Sequence, residues 1–136
     1  KNVSFMLTGT SGYALPVLTS SIFSDVYNNE KWNFNVRIRP QTHPYSDGVS
    51  GSSPNNFIVE FNGYNTVADI INNSFAITGT ISSSAGIAFC SADRRFFVGS
   101  HRTNFTGSVL QYCDVKISSL RVWMDHLTEL SRSYGI

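Results

Sequence analysis

The chain is poor in charge. Asp, Glu, Lys and Arg make up only 14 % of its 136 residues, against about 25 % in an ordinary soluble domain. Ten basic residues balance nine acidic ones for a net charge of +1. That excludes the strongly cationic surface that nucleic acid or an anionic membrane selects. No apolar run approaches the roughly 20 residues of a membrane span, and no signal peptide is visible. Cysteine is nearly absent. Cys90 and Cys113 stand alone, with no Cys-x-x-Cys motif or Cys/His cluster, so a structural zinc site is not expected. The pair leaves two readings open, one disulfide or two small buried hydrophobes.

Catalytic patterns are also missing. A retaining glycosidase needs two carboxylates about 5 Å apart, normally on one face of a strand. Asp125 and Glu129 are the only acids within four residues of each other, and they fall where a strand is expected to give way to a helix. No Gly-x-Ser-x-Gly elbow supports a serine nucleophile. His43, His101 and His126 are far apart, and no cluster of Asp and Asn makes a calcium loop. No enzyme, cofactor or metal is therefore expected, and a glycoside hydrolase is the outsider among the alternatives. The Asn2, Asn72 and Asn104 sequons decide nothing in a chain this rich in Asn, Ser and Thr.

What is present is apolar and β-prone. Hydrophobic residues reach 41 % and aromatics 13 %, enough to bury one core in a chain of this length. The polar remainder is Ser, Thr, Asn and Gly, which suits an all-β extracellular or virion-surface module better than a cytosolic helical enzyme. The chain opens on Lys1 rather than Met, so it is expected to be processed or part of something longer. Residues 32–39, WNFNVRIR, alternate Trp32, Phe34, Val36 and Ile38 with Asn33, Asn35, Arg37 and Arg39. That is a strand with one apolar and one half-solvated face, ended by Pro40. The stretch 41–56 is turn chemistry throughout. Further strands are expected over 3–7, 13–18, 57–61, 66–71, 74–81, 86–90 and 95–100. An Asn62–Gly63 turn separates the fourth and fifth strands of the chain order. Helical spacing is confined to 20–29 and 127–134. Strands recurring about every 8–12 residues indicate a sandwich or barrel.

Residues 114–127, DVKISSLRVWMDHL, break the period of two. Val115 and Ile117 are apolar at odd positions, whereas Leu120 and Val122 are apolar at even ones. A slip at Ser118–Ser119 lets one strand change its buried face, as a β-bulge would.

The C-terminal third resembles the laminin-G-like, concanavalin-A-like jelly-roll family. Val98–Gly99–Ser100 looks like that family's apolar–Gly–small step, and Phe105–Thr106–Gly107 like its Phe-x-Gly turn. Ile117, Leu120, Arg121, Val122 and Trp123 resemble its last strand, which closes at Leu127–Thr128. Residues 33–40 resemble an early strand that closes on Pro. Arg37 stands where that strand commonly has Trp, and Ser118–Ser119 where the last strand usually carries acids. The resemblance covers 95–130 best and is absent before residue 30. It implies one all-β domain over 1–136, a two-sheet antiparallel jelly-roll sandwich with at most short helical turns.

Two uses of such a domain follow. One is a non-catalytic structural or recognition module of a virion or other surface assembly, oligomeric through that assembly, in contact with glycan or a neighbouring protein. The other is a lectin-like, carbohydrate-binding domain attached to an extracellular enzyme or adhesin. The most ligand-like stretch is SHRTNF, 100–105. His101, Arg102 and Asn104, with Tyr112 from the next segment, offer the mixture of rings and fixed polar groups that sugars bind. The plainer reading, which weighs more, is a connecting loop with Phe105 at the core rim and Arg102 solvated.

Overall fold

The computed structural model describes residues 1–9, 15–28, 30–41, 56–103 and 106–123. They divide between two compact units, a larger one over Lys1–Cys90 and a smaller one over Ser91–Asp125. The architecture is mostly β and antiparallel. Among the described residues no helix is long and apolar enough to cross a membrane.

The centre of the larger unit is a three-stranded sheet of β3 (Lys31–Pro40), β4 (Phe57–Val67) and β5 (Ile70–Ile81), in that order. β3 is the strand that the alternation in 32–39 predicts. It pairs with β4 from Lys31↔Thr66 to Pro40↔Phe57. β4 pairs in turn with β5, and Asn72 is left out of the ladder as a bulge beside the Asn65/Thr66 step. Side chains opposite one another share a face. One face therefore carries Trp32, Phe34, Val36 and Ile38 of β3 beside Val59 and Phe61 of β4, with Phe75, Ile77 and Ile81 of β5.

Two short strands lie against that apolar face. β1 (Met6–Leu7) pairs with β2 (Leu18–Thr19), and an isolated bridge joins Val3 to Phe23. Buried Ser20 ties them together: its hydroxyl accepts the Phe5 N–H at 2.9 Å and donates to the Ser21 carbonyl at 2.7 Å. Leu18, Val59, Phe61 and Ile81 form the buried core, flanked by Phe5, Leu7, Leu15, Ile38, Phe57, Phe75, Ile77 and Ala85. Burying each such side chain contributes about 1.5–3 kcal/mol before chain entropy is counted. Aromatic rings extend the layer. Phe75 meets Phe61 edge-on at 5.0 Å between centroids, and Phe5 lies 4.7 Å from Trp32 and 4.8 Å from Phe34.

Five expectations are corrected. The first concerns the turn expected at Asn62–Gly63, which does not exist: β4 runs straight through both residues, and both are buried. Gly63 is needed there because a Cβ would strike the Phe75 ring and come within 3.1 Å of Phe34 Cδ1. The chain reverses instead at Ala68–Asp69, both left-handed with φ of 49° and 63°, the geometry of a tight hairpin.

Second, 86–90 is not a strand but part of helix α1 (Ser83–Ser91). A run of apolar residues this short does not distinguish helix from strand. The Ser82 hydroxyl, accepting the Ala85 N–H at 3.3 Å, caps the helical start. Gly86 lets the Phe57 ring pack onto the helix backbone.

Third, the described part of the 20–29 segment, residues 20–28, is not helical. Phe23 bridges to Val3, and a turn follows in which the Asn28 N–H donates to the Asp25 carbonyl at 3.1 Å. The aromatic side of Phe23 is used against Phe5 and Trp32, so tertiary packing overrides the local spacing.

Fourth, residues 114–123 form no strand, and Ile117, Leu120 and Val122 are 53–55 % exposed. There is no sheet face for the Ser118–Ser119 slip to exchange. The ladder before it ends at Tyr112, with one more backbone bond from the Cys113 N–H to the Gly99 carbonyl. Fifth, the strand expected over 95–100 is irregular until Ser100. The terminal helix expected over 127–134, the acids Asp125 and Glu129, most of the 41–56 loop and residues 13–14 lie outside the described residues.

Candidate functional site

The smaller unit contains the one described stretch where predicted site residues come together. β6 (Ser100–Arg102) pairs antiparallel with β7 (Val109–Tyr112). Ser100 faces Tyr112, His101 faces Leu110 and Arg102 faces Val109, with Gln111 as the extra residue of a bulge. A bulge breaks the strict alternation of faces. Here it accompanies the convergence of Ser100, His101 and Tyr112 on one concavity.

That concavity is open, with a volume of ≈ 510 Å³, and is lined by Gly99, Ser100, His101, Tyr112 and Cys113. Its floor is set by backbone. Gly99 has φ of 77°, a conformation that side chains strain. The Gly99 carbonyl accepts the Cys113 N–H at 2.7 Å, and a Cβ at Gly99 would stand 2.7 Å from the Cys113 carbonyl oxygen. Tyr112 is 81 % exposed, so its ring presents a flat face to solvent. The connection between the strands is closed by Thr103 N–H to the Ser108 carbonyl at 3.0 Å and Gly107 N–H to the Thr103 carbonyl at 2.8 Å.

Of the predicted ligand residues, His101 and Tyr112 line the concavity together. Arg102 follows on β6 and is exposed, but does not line it. Asn104, and with it Phe105, lies outside the described residues. Sequence reasoning missed Ser100 and the paired backbones of Gly99 and Cys113. The Val98–Gly99–Ser100 step was the available signal, because a glycine between two β-prone segments marks either a bulge or a close backbone approach.

The larger unit holds a second polar cluster, on the face that the alternation in 32–39 gives as half-solvated. Arg37 and Glu60 are directly opposite across β3 and β4, 2.8 Å apart, with side chains only 11 % and 13 % exposed. Arg39 reaches the same carboxylate at 3.6 Å. One carboxylate between two guanidinium groups is held in an ion-pair network, an arrangement suited to fixing strand register. Beside it, Asn35 faces Asn62. At the end of the apolar face, fully buried Asn65 donates from Nδ2 to the Lys31 carbonyl at 3.2 Å.

Cys90 and Cys113 are both free and exposed, so neither the disulfide nor the buried-hydrophobe reading describes them. Among the described residues no three His, Cys, Asp or Glu side chains gather as a metal site. Compared with protein-family models, with curated proteins and with solved structures, the chain matches none.

Proposed function

We propose that this chain is a non-catalytic structural or recognition module of a virion or other extracellular surface assembly, acting through contact with a neighbouring protein. In this reading its antiparallel sheet is one layer of a two-sheet jelly-roll sandwich. The observation that carries the reading is apolar exposure in the smaller unit. Phe96, Val98, Val115, Ile117, Leu120 and Val122 are each 50–56 % exposed. A side chain left half in water forgoes on the order of 1 kcal/mol of burial. Exposed apolar side chains gathered in two short stretches of one unit, 96–98 and 115–122, are the kind of surface a protein contact site uses. The charge-poor composition and the sequestered Glu60 carboxylate fit a building block better than a hydrolase.

Sedimentation velocity of the full chain over a range of concentrations tests this. The wild type is expected to associate as concentration rises, and Ile117→Asp/Val122→Asp to associate measurably less at each concentration with unchanged far-UV circular dichroism. A wild type no more associated than that variant overturns the proposal.

A second reading rests on the concavity at Ser100, His101 and Tyr112: an exposed aromatic face beside fixed polar groups suits a sugar ring. On a glycan array the chain is then expected to give hits that Tyr112→Ala abolishes. An array without hits, or hits indifferent to Tyr112, removes this reading.

A further inference from the structure

We propose that β5 is a self-association edge, at which a second copy of this chain pairs antiparallel about a two-fold axis centred on Ala76. The inference goes beyond the contact proposed above, because it concerns the other compact unit and a different kind of surface. Among the described residues, both β3 and β5 are margins of the three-stranded sheet. Each turns the N–H and C=O groups of alternate residues outward, and such edges recruit further strands unless they are blocked.

β3 is blocked and β5 is not. β3 carries Lys31, Arg37 and Arg39 and ends on Pro40, the charges and proline that discourage pairing. The residues of its polar face, Asn33, Asn35, Arg37 and Arg39, are half-buried. β5 reads IINNSFAITGTI and contains neither a charge nor a proline in twelve residues. Its polar face, Ser74, Ala76, Thr78 and Thr80, is exposed throughout. The β1–β2 pair does not occupy this margin. At Gly79 a Cβ would meet Pro16 Cγ at 2.5 Å and Leu18 Cδ2 at 3.1 Å, which places that layer over the apolar face, and among the described residues no strand pairs with the outer side of β5.

The occupant is a second copy because the strand complements itself. In an antiparallel pair, residues directly opposite share a face. With Ala76 opposite Ala76, Phe75 meets Ile77 of the second copy, Ser74 meets Thr78, and Asn73 meets Gly79. Aromatic with β-branched and hydroxyl with hydroxyl are favourable cross-strand pairs, each contributing about 0.2–1 kcal/mol, and no like charges face each other. Centring on Ile77 instead sets Phe75 against Gly79 and Asn73 against Ile81, which wastes the aromatic and buries an amide on an isoleucine. The Ala76 register joins two three-stranded sheets into one continuous sheet. A two-fold, self-complementary contact of this kind closes on itself and stops at the dimer.

Disulfide trapping tests the contact directly. In the full chain carrying Cys90→Ser and Cys113→Ser, an added Ala76→Cys places two thiols across the axis. Directly opposite Cβ atoms about 4.5–5.5 Å apart come within small adjustment of the roughly 3.5–4.5 Å a disulfide needs. Ala76→Cys is expected to oxidise to a covalent dimer, whereas Asn33→Cys on β3 is not. Ala76→Lys, which sets two ammonium groups face to face, is expected to shift the sedimenting species of the Ile117→Asp/Val122→Asp variant from dimer to monomer while far-UV circular dichroism is unchanged. Equal cross-linking at the two positions, or a dimer indifferent to Ala76→Lys, overturns the proposal. Trapping repeated with Ile117→Asp/Val122→Asp separates the two surfaces. Cross-linking that survives there belongs to β5, and cross-linking that disappears there assigns the association to the smaller unit and overturns the edge.

Discussion

Gly63→Ala is a change for which two physical arguments give opposite signs. Chain entropy favours alanine: replacing a strand glycine whose backbone alanine can adopt stabilises by about 0.5–1 kcal/mol. Packing opposes it. The new methyl would collide with the Phe75 ring at Cε1 and stand 2.7 Å from Cζ and 3.1 Å from Phe34 Cδ1, where carbon contacts prefer about 3.5–4.0 Å. The Phe75 ring must therefore move by about 1 Å. It is held between Phe61 at 5.0 Å and Phe5 at 5.7 Å between centroids, so it cannot swing freely. Overpacking of this kind costs about 1–3 kcal/mol, and the balance is a loss of about 1–2 kcal/mol. For a unit of this size that lowers Tm by about 4–16 °C. Thermal unfolding followed by near-UV circular dichroism reads the aromatic layer directly. Gly63→Ala/Phe75→Leu makes room for the methyl, so the double variant is expected to be more stable than the two single losses added together, with a coupling of about 1 kcal/mol. An alanine variant more stable than wild type, or strictly additive losses, refutes the steric argument and with it the placement of Gly63 under Phe75.

Three other changes follow from the same structure. Ala68→Gly relieves a left-handed backbone costing about 1–2 kcal/mol but adds unfolded-state freedom, so urea unfolding is expected to show a net gain of about 0.5–1 kcal/mol. Glu60→Gln leaves Arg37 and Arg39 facing a neutral amide in a largely covered position and is expected to cost about 2–4 kcal/mol in the same assay. Gly99→Ala forces a side chain into φ of 77° against the Cys113 carbonyl. Faster amide exchange at Cys113 is the expected signature, with about 1–3 kcal/mol lost locally.

Much of the three-stranded sheet is legible in the sequence because its signal is local. Trp32, Phe34, Val36 and Ile38 alternate with polar residues, and alternation alone assigns them to a strand and to one face. The errors arise where a residue type has two uses. Asn62–Gly63 is a turn signal only if nothing demands a missing side chain. Here the Phe75 ring from the next strand demands it, and the reversal falls to Ala68–Asp69 instead. The apolar run of 86–90 suits a helix or a strand equally, and the Ser82 cap and the Phe57 ring on Gly86 decide. At the candidate site, His101 and Tyr112 were legible as ligand-type residues. Their meeting with Ser100 depends on the β6–β7 register and its bulge at Gln111, which no local pattern specifies.

The sequence by itself determined a β-rich chain, low in charge, with an aromatic face on its longest alternating strand, because composition and a period of two are properties of neighbouring residues. Tertiary structure alone decided which glycine lies under a ring, which turn reverses the chain, and that Arg37 and Arg39 share Glu60. It also left residues 114–123 outside any strand. Each of these is a pairing between residues distant along the chain, and spacing along the chain carries no information about which distant partner closes on it.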